Sequence, residues 1–220
     1  MKKCVIFDMD GVIVDSEHIH MACEREIFRL MGISVSDEEH YKMIGTSDDY
    51  MWSHISQLYS LTITVPELIN RKKSLYMEYL KRGVYIKLIP YVSGLIVDLF
   101  SENIPLVLAS SSPHEQIDYI LNDFALKRFF HASISGEDIL NSKPHPEIFL
   151  KAAKAVGVDP GSCVVIEDSE NGVLAAKNAK MKCIGYKNLN SGDQDLSKAD
   201  LVVSSFNEVS VVSIKGLLWQ

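Results

Sequence analysis

The sequence predicts an α/β protein: a Rossmann-like parallel sheet core with helices on both faces and an inserted all-helical cap. Three observations carry that expectation. A short apolar run, Cys4-Val5-Ile6-Phe7, opens the chain and reads as a strand buried on both faces. From Ser16 to about residue 83 the apolar spacing is helical throughout. Beyond Ile86, β-like runs alternate with helix-length segments, the pattern of parallel strands joined by right-handed crossovers. The expected division is a core of residues 1–15 and 86–220, with a cap of residues 16–85 inserted after the first strand.

The first strand runs into Asp8-Met9-Asp10-Gly11. A buried strand has no structural use for two carboxylates, and acids at i and i+2 point the same way, so the run reads as a catalytic strand end. Asp10-Gly11 also fits a type I′ turn joining strands over 4–8 and 12–15. Ile19, Ala22, Cys23, Ile27, Leu30 and Met31 then recur at helical spacing until Gly32 closes the helix. Ser36-Asp37-Glu38-Glu39 reads as a capping-box start, Gly45-Thr46-Ser47 as a loop and 48–59 as a third helix; Pro66 opens a fourth that reaches Gly83. In the core, strands are expected at 106–109, 132–134, 163–166, 182–186 and 201–203. Helices are expected at 94–102, 114–121, 146–156, 170–179 and from about 206 to the end. There is no internal repeat or low-complexity segment.

The bulk numbers bound the function. At 220 residues the chain is long enough for one large domain or a domain with an insertion. With 47% hydrophobic and 23% charged residues and a mean hydropathy of +0.06, the composition is that of an ordered globular protein. A formal charge of −7 argues against a nucleic-acid surface, which needs a basic patch; an anionic small substrate would need local cations. No uncharged apolar stretch approaches the roughly 20 residues that span a bilayer, and Asp8 and Asp10 break the run a signal peptide would need. The cysteines, Cys4, Cys23, Cys163 and Cys183, form no C-x-x-C pair and are expected as reduced, buried thiols. The expectation is a cytoplasmic protein without membrane or nucleic-acid partners, and a monomer by default.

Three later stretches end at the same sheet edge. Leu106-Val107-Leu108-Ala109 runs into Ser110-Ser111-Ser112-Pro113, whose hydroxyls and amides precede a helix and could hold an anion; the alternative is plain capping by Ser112 with Pro113 at the first helical position. Ser142-Lys143-Pro144-His145-Pro146-Glu147 ties a lysine to a rigid proline turn. That lysine could place one charge against a phosphoryl oxygen and a carboxylate, or lie in solvent; His145 reads as a surface residue. Cys163-Val164-Val165-Ile166 delivers Glu167-Asp168-Ser169 and then Asn171-Gly172. Asp168 with Asp8 would suit Mg²⁺; equally, these acids could complement a helix dipole. In open parallel sheets ligands sit beyond the carboxyl ends of the strands, where an inserted cap is placed to cover them.

Taken together, Asp8-Met9-Asp10-Gly11-Val12, Ser110 after Leu108-Ala109, Lys143-Pro144 and Glu167-Asp168-Ser169 with Asn171-Gly172 resemble the four motifs of the haloacid dehalogenase superfamily of phosphotransfer enzymes. The resemblance spans nearly the whole chain, and the insertion is similar to the cap of the β-phosphoglucomutase and sugar-phosphate phosphatase branch. It implies a Mg²⁺-dependent phosphomonoester hydrolase acting on a small phosphorylated metabolite, a sugar phosphate. Asp8 would attack phosphorus and become an aspartyl phosphate, while Asp10 would protonate the leaving oxygen and later take a proton from water. The metal would be held by Asp8, the Asp10 backbone carbonyl, Asp168 and Glu167, and the phosphoryl group by Ser110, Ser111 and Lys143. Beside the metal Asp8 is expected to stay ionised, whereas Asp10, kept off it, can be protonated. Asp10 also argues against true dehalogenation, which leaves no alkoxide needing a proton.

The resemblance leaves a phosphosugar mutase as the alternative. His20 matches a hinge histidine that mutases use near Asp10. Against this, Asp48 follows the Gly45-Thr46-Ser47 loop where the mutases carry an arginine for a second phosphate, and an acid there repels phosphate. Lys72, within Arg71-Lys72-Lys73, could substitute or belong to a solvated face. Thr46, Asp48, Trp52 and Lys72 are the candidate substrate contacts of the cap, Trp52 being alternatively cap core. The balance favours phosphatase. A non-catalytic phospho-aspartate signalling receiver is the reading from another class, but receivers have neither the second acid at i+2 nor the cap.

Overall fold

Every residue from Cys4 to Phe7 is fully buried, as an apolar run with no polar face must be. The computed structural model describes residues 2–218. The chain opens with β1 (Cys4–Phe7) and β2 (Val14–Asp15). It then passes through α1 (Glu17–Met31), α2 (Asp37–Tyr41), α3 (Asp48–Leu58) and α4 (Val65–Lys81) to β3 (Lys87–Leu88). The remainder alternates α5 (Val92–Ser101), β4 (Leu106–Ser110), α6 (His114–Asp123), β5 (Ala132–Ser135), α7 (Glu147–Ala155) and β6 (Cys163–Glu167). It ends with α8 (Glu170–Asn178), β7 (Lys182–Tyr186), β8 (Leu201–Val203) and α9 (Val211–Leu218).

The main sheet has six strands in the order β5-β4-β1-β6-β7-β8, all paired in parallel. Alternate residues of each strand face opposite layers. Val5, Phe7, Leu106, Leu108, Val164 and Ile166 pack with apolar residues of α5, α6 and α9, such as Ile96, Ile117 and Ile214. Cys4, Ile6, Val107, Ala109 and Val165 pack with Phe149 and Ala152 of α7 and Val173 and Ala176 of α8. The helices of the insertion have their own cluster, built from Ile27, Phe28, Met43, Met51, Trp52, Ile55 and Leu68. Among the described residues no helix is long and apolar enough to cross a membrane, and the four cysteines are free and buried.

The fold class is the expected one, and the local departures have physical causes. No hairpin forms at Asp10-Gly11. Both edges of β1 are already taken by β4 and β6, so no edge is open to a returning strand. Instead the chain coils tightly: the Met9 carbonyl accepts from the amides of Ile13 at 2.8 Å and Val14 at 3.1 Å, and Gly11 N–H donates to the Val14 carbonyl at 2.8 Å. β2 pairs antiparallel with β3, Val14 opposite Leu88 and Asp15 opposite Lys87, so a two-stranded ribbon joins the core to the cap. At α2 only half of the expected capping box is made, Ser36 Oγ accepting from Glu39 N–H at 3.2 Å, because the Glu39 carboxylate accepts instead from the Tyr59 hydroxyl at 3.1 Å. The complete box caps α4, between Thr64 and Glu67. Residues 206–208 form a separate 3₁₀ turn, so the final helix starts at Val211 rather than near 206. The expected continuation of that helix over 219–220 lies outside the described residues.

Gly11 is the residue that permits the turn out of the sheet. Its φ of +79° lies in the left-handed region, and a Cβ there would stand 1.9 Å from Asp168 Oδ2. Gly11→Ala is expected to destabilise the protein by about 1–3 kcal/mol, the usual cost of a side chain in this backbone region, read as a lower midpoint in denaturant unfolding; an unchanged midpoint would contradict the close approach to Asp168.

Candidate active site

The carboxyl ends of β1, β4 and β6 lie side by side, and each delivers its polar residues to one cavity of about 340 Å³ between core and cap. Asp8 continues the β1 ladder, its N–H donating to the Ile166 carbonyl at 3.0 Å. The Lys143 ammonium donates to Asp8 Oδ1 at 2.5 Å and to Glu167 Oε1 at 2.6 Å. With a side chain only 8% exposed, Lys143 is not the solvated loop lysine that its sequence context also allowed. Glu167 Oε2 accepts from the N–H and the hydroxyl of Ser169, both at 2.9 Å. Asp168 accepts from the Ser191 hydroxyl.

Asp10 has different company. Its Oδ1 accepts from Ser16 Oγ at 2.6 Å and lies 3.5 Å from His20 Nε2. Its Oδ2 accepts from Ser112 Oγ at 2.7 Å and, more weakly, from Ser110 Oγ at 3.5 Å. Ser112 therefore does not cap the following helix; Pro113 holds the cap position without a side-chain bond. Ser111 is exposed on the cavity wall. His20 stacks on Tyr76 with ring centroids 4.6 Å apart.

In the protein alone, without the charge of a metal, these surroundings act on the two aspartates in opposite directions. Burial raises Asp8, and the Glu167 and Asp10 charges add to it against the opposing Lys143 ammonium. Burial would also raise Asp10, but the His20 hydrogen bond and charge and the Ser16 and Ser112 hydroxyls outweigh it and hold the carboxyl at about 2. His20 is raised: burial is the largest single influence and lowers its affinity for a proton, but the Asp10 hydrogen bond together with the Asp10 and Glu17 charges outweighs burial and the Lys72 charge. The protein alone thus favours an ionised Asp10 and resists ionising Asp8. Asp168 is pushed well above the carboxylate range by burial and then by the Glu167 and Asp8 charges.

Asp8 and Glu167 share one ammonium, and the buried Asp168 beside them has only the Ser191 hydroxyl, a concentration of negative charge that is costly without a further cation. Hard oxygen donors of this kind fit Mg²⁺. Among the described residues no group of three acidic, histidine or cysteine side chains is placed to hold a metal ion by itself, so a bound ion would take the rest of its shell from the Asp10 carbonyl, water and ligand oxygens.

The cap supplies the opposite wall. Thr46 Oγ1 donates to the Met43 carbonyl at 2.6 Å. Lys72 is buried, not on a solvated face, and its ammonium lies 2.5 Å from Asp48 Oδ1 and 2.6 Å from Glu24 Oε1. Trp52 is a correction: it is fully buried in the cap core, edge-on to Phe28 at 5.7 Å, and does not line the cavity. Residues not anticipated from the sequence are Ser16, Glu24 and Ser191, and Ser112, expected as an anion-holding hydroxyl or a helix cap, donates instead to Asp10. Glu24 had a signal, since Glu17, His20 and Glu24 fall at i, i+3 and i+7 on one helix face.

A sequence profile of the haloacid dehalogenase-like hydrolases matches residues 5–186. The chain belongs to this family. It is 31% identical to a β-phosphoglucomutase of Bacillus subtilis over 95% of this chain and 92% of the relative. It is also 31% identical to hexitol phosphatase B of Escherichia coli, over 96% of each chain. The crystal structure of a β-phosphoglucomutase from Clostridium difficile superposes with a TM-score of 0.84 at 29% identity, covering 99% of this chain and 97% of that one. The protein is accordingly an enzyme of the phosphatase and phosphomutase kind within the haloacid dehalogenase-like hydrolases.

The buried Glu24 makes a pH-dependent contribution to stability. Burial alone would raise its carboxyl, but the Lys72 charge and the hydrogen bonds from His40 and Lys72 bring it from 4.5 to about 2. Because the folded value is depressed, the stabilisation is present above about pH 4.5 and is lost as pH falls toward 2. Glu24→Gln is expected to cost about 3 kcal/mol near neutrality, with the gap from wild type narrowing in urea titrations run between pH 5 and pH 2.5. A gap independent of pH would contradict this assignment.

Proposed function

We propose that the protein is a Mg²⁺-dependent phosphomonoester hydrolase that acts on a small phosphorylated metabolite, a sugar phosphate, through an aspartyl phosphate on Asp8. It works as a cytoplasmic monomer, with residues 16–85 as the cap over a core of 1–15 and 86–220. The observation that carries this reading is the contrast between the two aspartates: Asp8 faces an ammonium, whereas Asp10 faces hydroxyls and an imidazole.

Asp8 attacks phosphorus in line with the leaving oxygen, and the P–O bond to the leaving group breaks as the Asp8 O–P bond forms. Lys143, already at Asp8 Oδ1, donates to a phosphoryl oxygen, joined by Ser110 and Ser111. Bound Mg²⁺, held by Asp8, Asp168, the Asp10 carbonyl and Glu167, would supply the positive charge that keeps Asp8 ionised and offsets the phosphoryl charge. The first step needs Asp10 protonated. A dianionic phosphoryl group arriving beside Asp10 raises its affinity for a proton, and His20 is the adjacent donor. In the second step Asp10, ionised among its Ser16 and Ser112 donors, takes a proton from the water that attacks phosphorus and releases Asp8.

His20 beside Asp10 is what favours the mutase reading. Against it, the cap wall carries Asp48 joined to Lys72, which disfavours the second phosphate a mutase must hold. With Mg²⁺ the wild type is expected to release phosphate from p-nitrophenyl phosphate, Asp8→Asn to be inactive, and Asp10→Asn to lose about 10²- to 10⁴-fold. Given β-glucose 1-phosphate with a trace of glucose 1,6-bisphosphate, it should not form glucose 6-phosphate rapidly. Inactivity across a panel of phosphate esters would sink the hydrolase reading, and rapid glucose 6-phosphate would replace it with the mutase.

A further inference from the structure

The cap side of the cavity is lined by four carboxylates, Glu17, Glu24, Asp48 and Asp49, and by two ammonium groups, Lys72 and Lys73. Lys73 is only partly buried, where solvent screens its charge. Lys72 is the buried cation of that wall, and it is already held by two acids, Asp48 at 2.5 Å and Glu24 at 2.6 Å. Glu24 is itself fixed from behind. Its Oε2 lies 2.6 Å from His40 Nε2, and the buried His40 ring stands edge-on to Phe28 with centroids 5.1 Å apart.

Lys143 is shared by two carboxylates as well, but those are proposed holders of Mg²⁺, whose charge would free the ammonium for a phosphoryl oxygen; Lys72 has no such ion beside it, so its single charge is outweighed by Asp48 and Glu24. A second phosphate or a carboxylate reaching this wall would meet net negative charge, and recruiting Lys72 would weaken its hold on Glu24, a costly change for a buried acid. A hydroxyl meets no such penalty, because carboxylate oxygens accept hydrogen bonds from it.

We infer that Glu24 and Asp48 set the specificity of the cap end by occupying Lys72, so that the enzyme takes phosphomonoesters whose remote end is uncharged and hydroxylated and rejects those whose remote end carries a second phosphate or a carboxylate. This inference rests on the phosphomonoesterase reading of the cavity. Glu24 is a positioning residue, acting through Lys72, and Asp48 is the rim acid that a ligand meets.

The test compares glucitol 6-phosphate, 6-phosphogluconate and glucose 1,6-bisphosphate, whose ends remote from the 6-phosphate are a neutral alcohol, a carboxylate and a second phosphate; the first two share an open chain, and the third is a ring. The expected kcat/KM for the neutral-ended ester exceeds that of the other two by at least about tenfold, a modest like-charge discrimination. Asp48→Asn, at the partly exposed rim, narrows that gap mainly through KM for the charged esters, and Glu24→Gln shifts it the same way. Titration calorimetry of the three esters on Asp8→Asn protein gives the same ranking without turnover. Equal handling of the three, or preference for a charged one, overturns the charge filter while hydrolysis of p-nitrophenyl phosphate leaves the phosphatase reading standing. Failure to hydrolyse p-nitrophenyl phosphate or any other ester of the panel overturns the phosphatase reading instead, and the calorimetric ranking then decides the filter by itself.

Discussion

The buried ammonium of Lys143 is the charge on which the rest of the site depends. It joins Asp8, beyond the end of β1, to Glu167, at the end of the neighbouring strand β6. Burial alone would lower its affinity for a proton, but the Asp8 and Glu167 charges raise it decisively. The loop that carries it is anchored on both sides. Glu147 accepts from the amides of Leu140 and Asn141, both at 3.1 Å, and Asn178 on α8 donates to the Pro144 carbonyl at 3.0 Å. A point charge held this firmly would meet the phosphoryl group of the proposed reaction already in place, and pre-organisation is where electrostatic catalysis gains most.

A second constraint is the way the cap rests on the core. Asn171 donates to the Gly45 carbonyl at 3.3 Å, and Gln194 donates to the Ile44 carbonyl at 3.1 Å. The loop bearing Gln194 also places Ser191 on Asp168, Asn190 on Asp15 and Asn188 on the Gly11 carbonyl. One core loop therefore touches an acid of the site, the hinge ribbon and the cap together. A cavity covered in this way limits water, which strengthens every charge interaction inside it. Proximity of core and cap also explains how Asp10, a core residue, comes to be governed by Ser16 and His20 at the start of the cap.

The strand ends were legible because each places polar residues directly after an uninterrupted apolar run, a pattern that buried strands have no other reason to show. The cap was legible because helical spacing persists from Ile19 to beyond Leu80. What could not be read was whatever depended on the distant end of a contact. The two-residue strands β2 and β3 are too short for any periodicity. Ser112 has the local chemistry of a helix cap, and only the position of Asp10 beyond the neighbouring strand draws its hydroxyl away. Glu24 lies within a helix otherwise read by its apolar face, and its pairing with Lys72 and His40 joins three helices. The relative proton affinities of Asp8 and Asp10 in the protein alone depend on the same long-range placement, whereas the ionised Asp8 expected from the sequence belongs to the metal-bound site.

These features converge on one claim, that Asp8 becomes covalently phosphorylated during turnover. Quenching the enzyme with borohydride while it processes a phosphate ester in Mg²⁺, followed by peptide mass spectrometry, addresses it directly. An aspartyl phosphate is reduced to homoserine, so homoserine is expected at position 8, dependent on substrate. Robust turnover with no modification at Asp8, or with the modification at another acid such as Asp168, would contradict it.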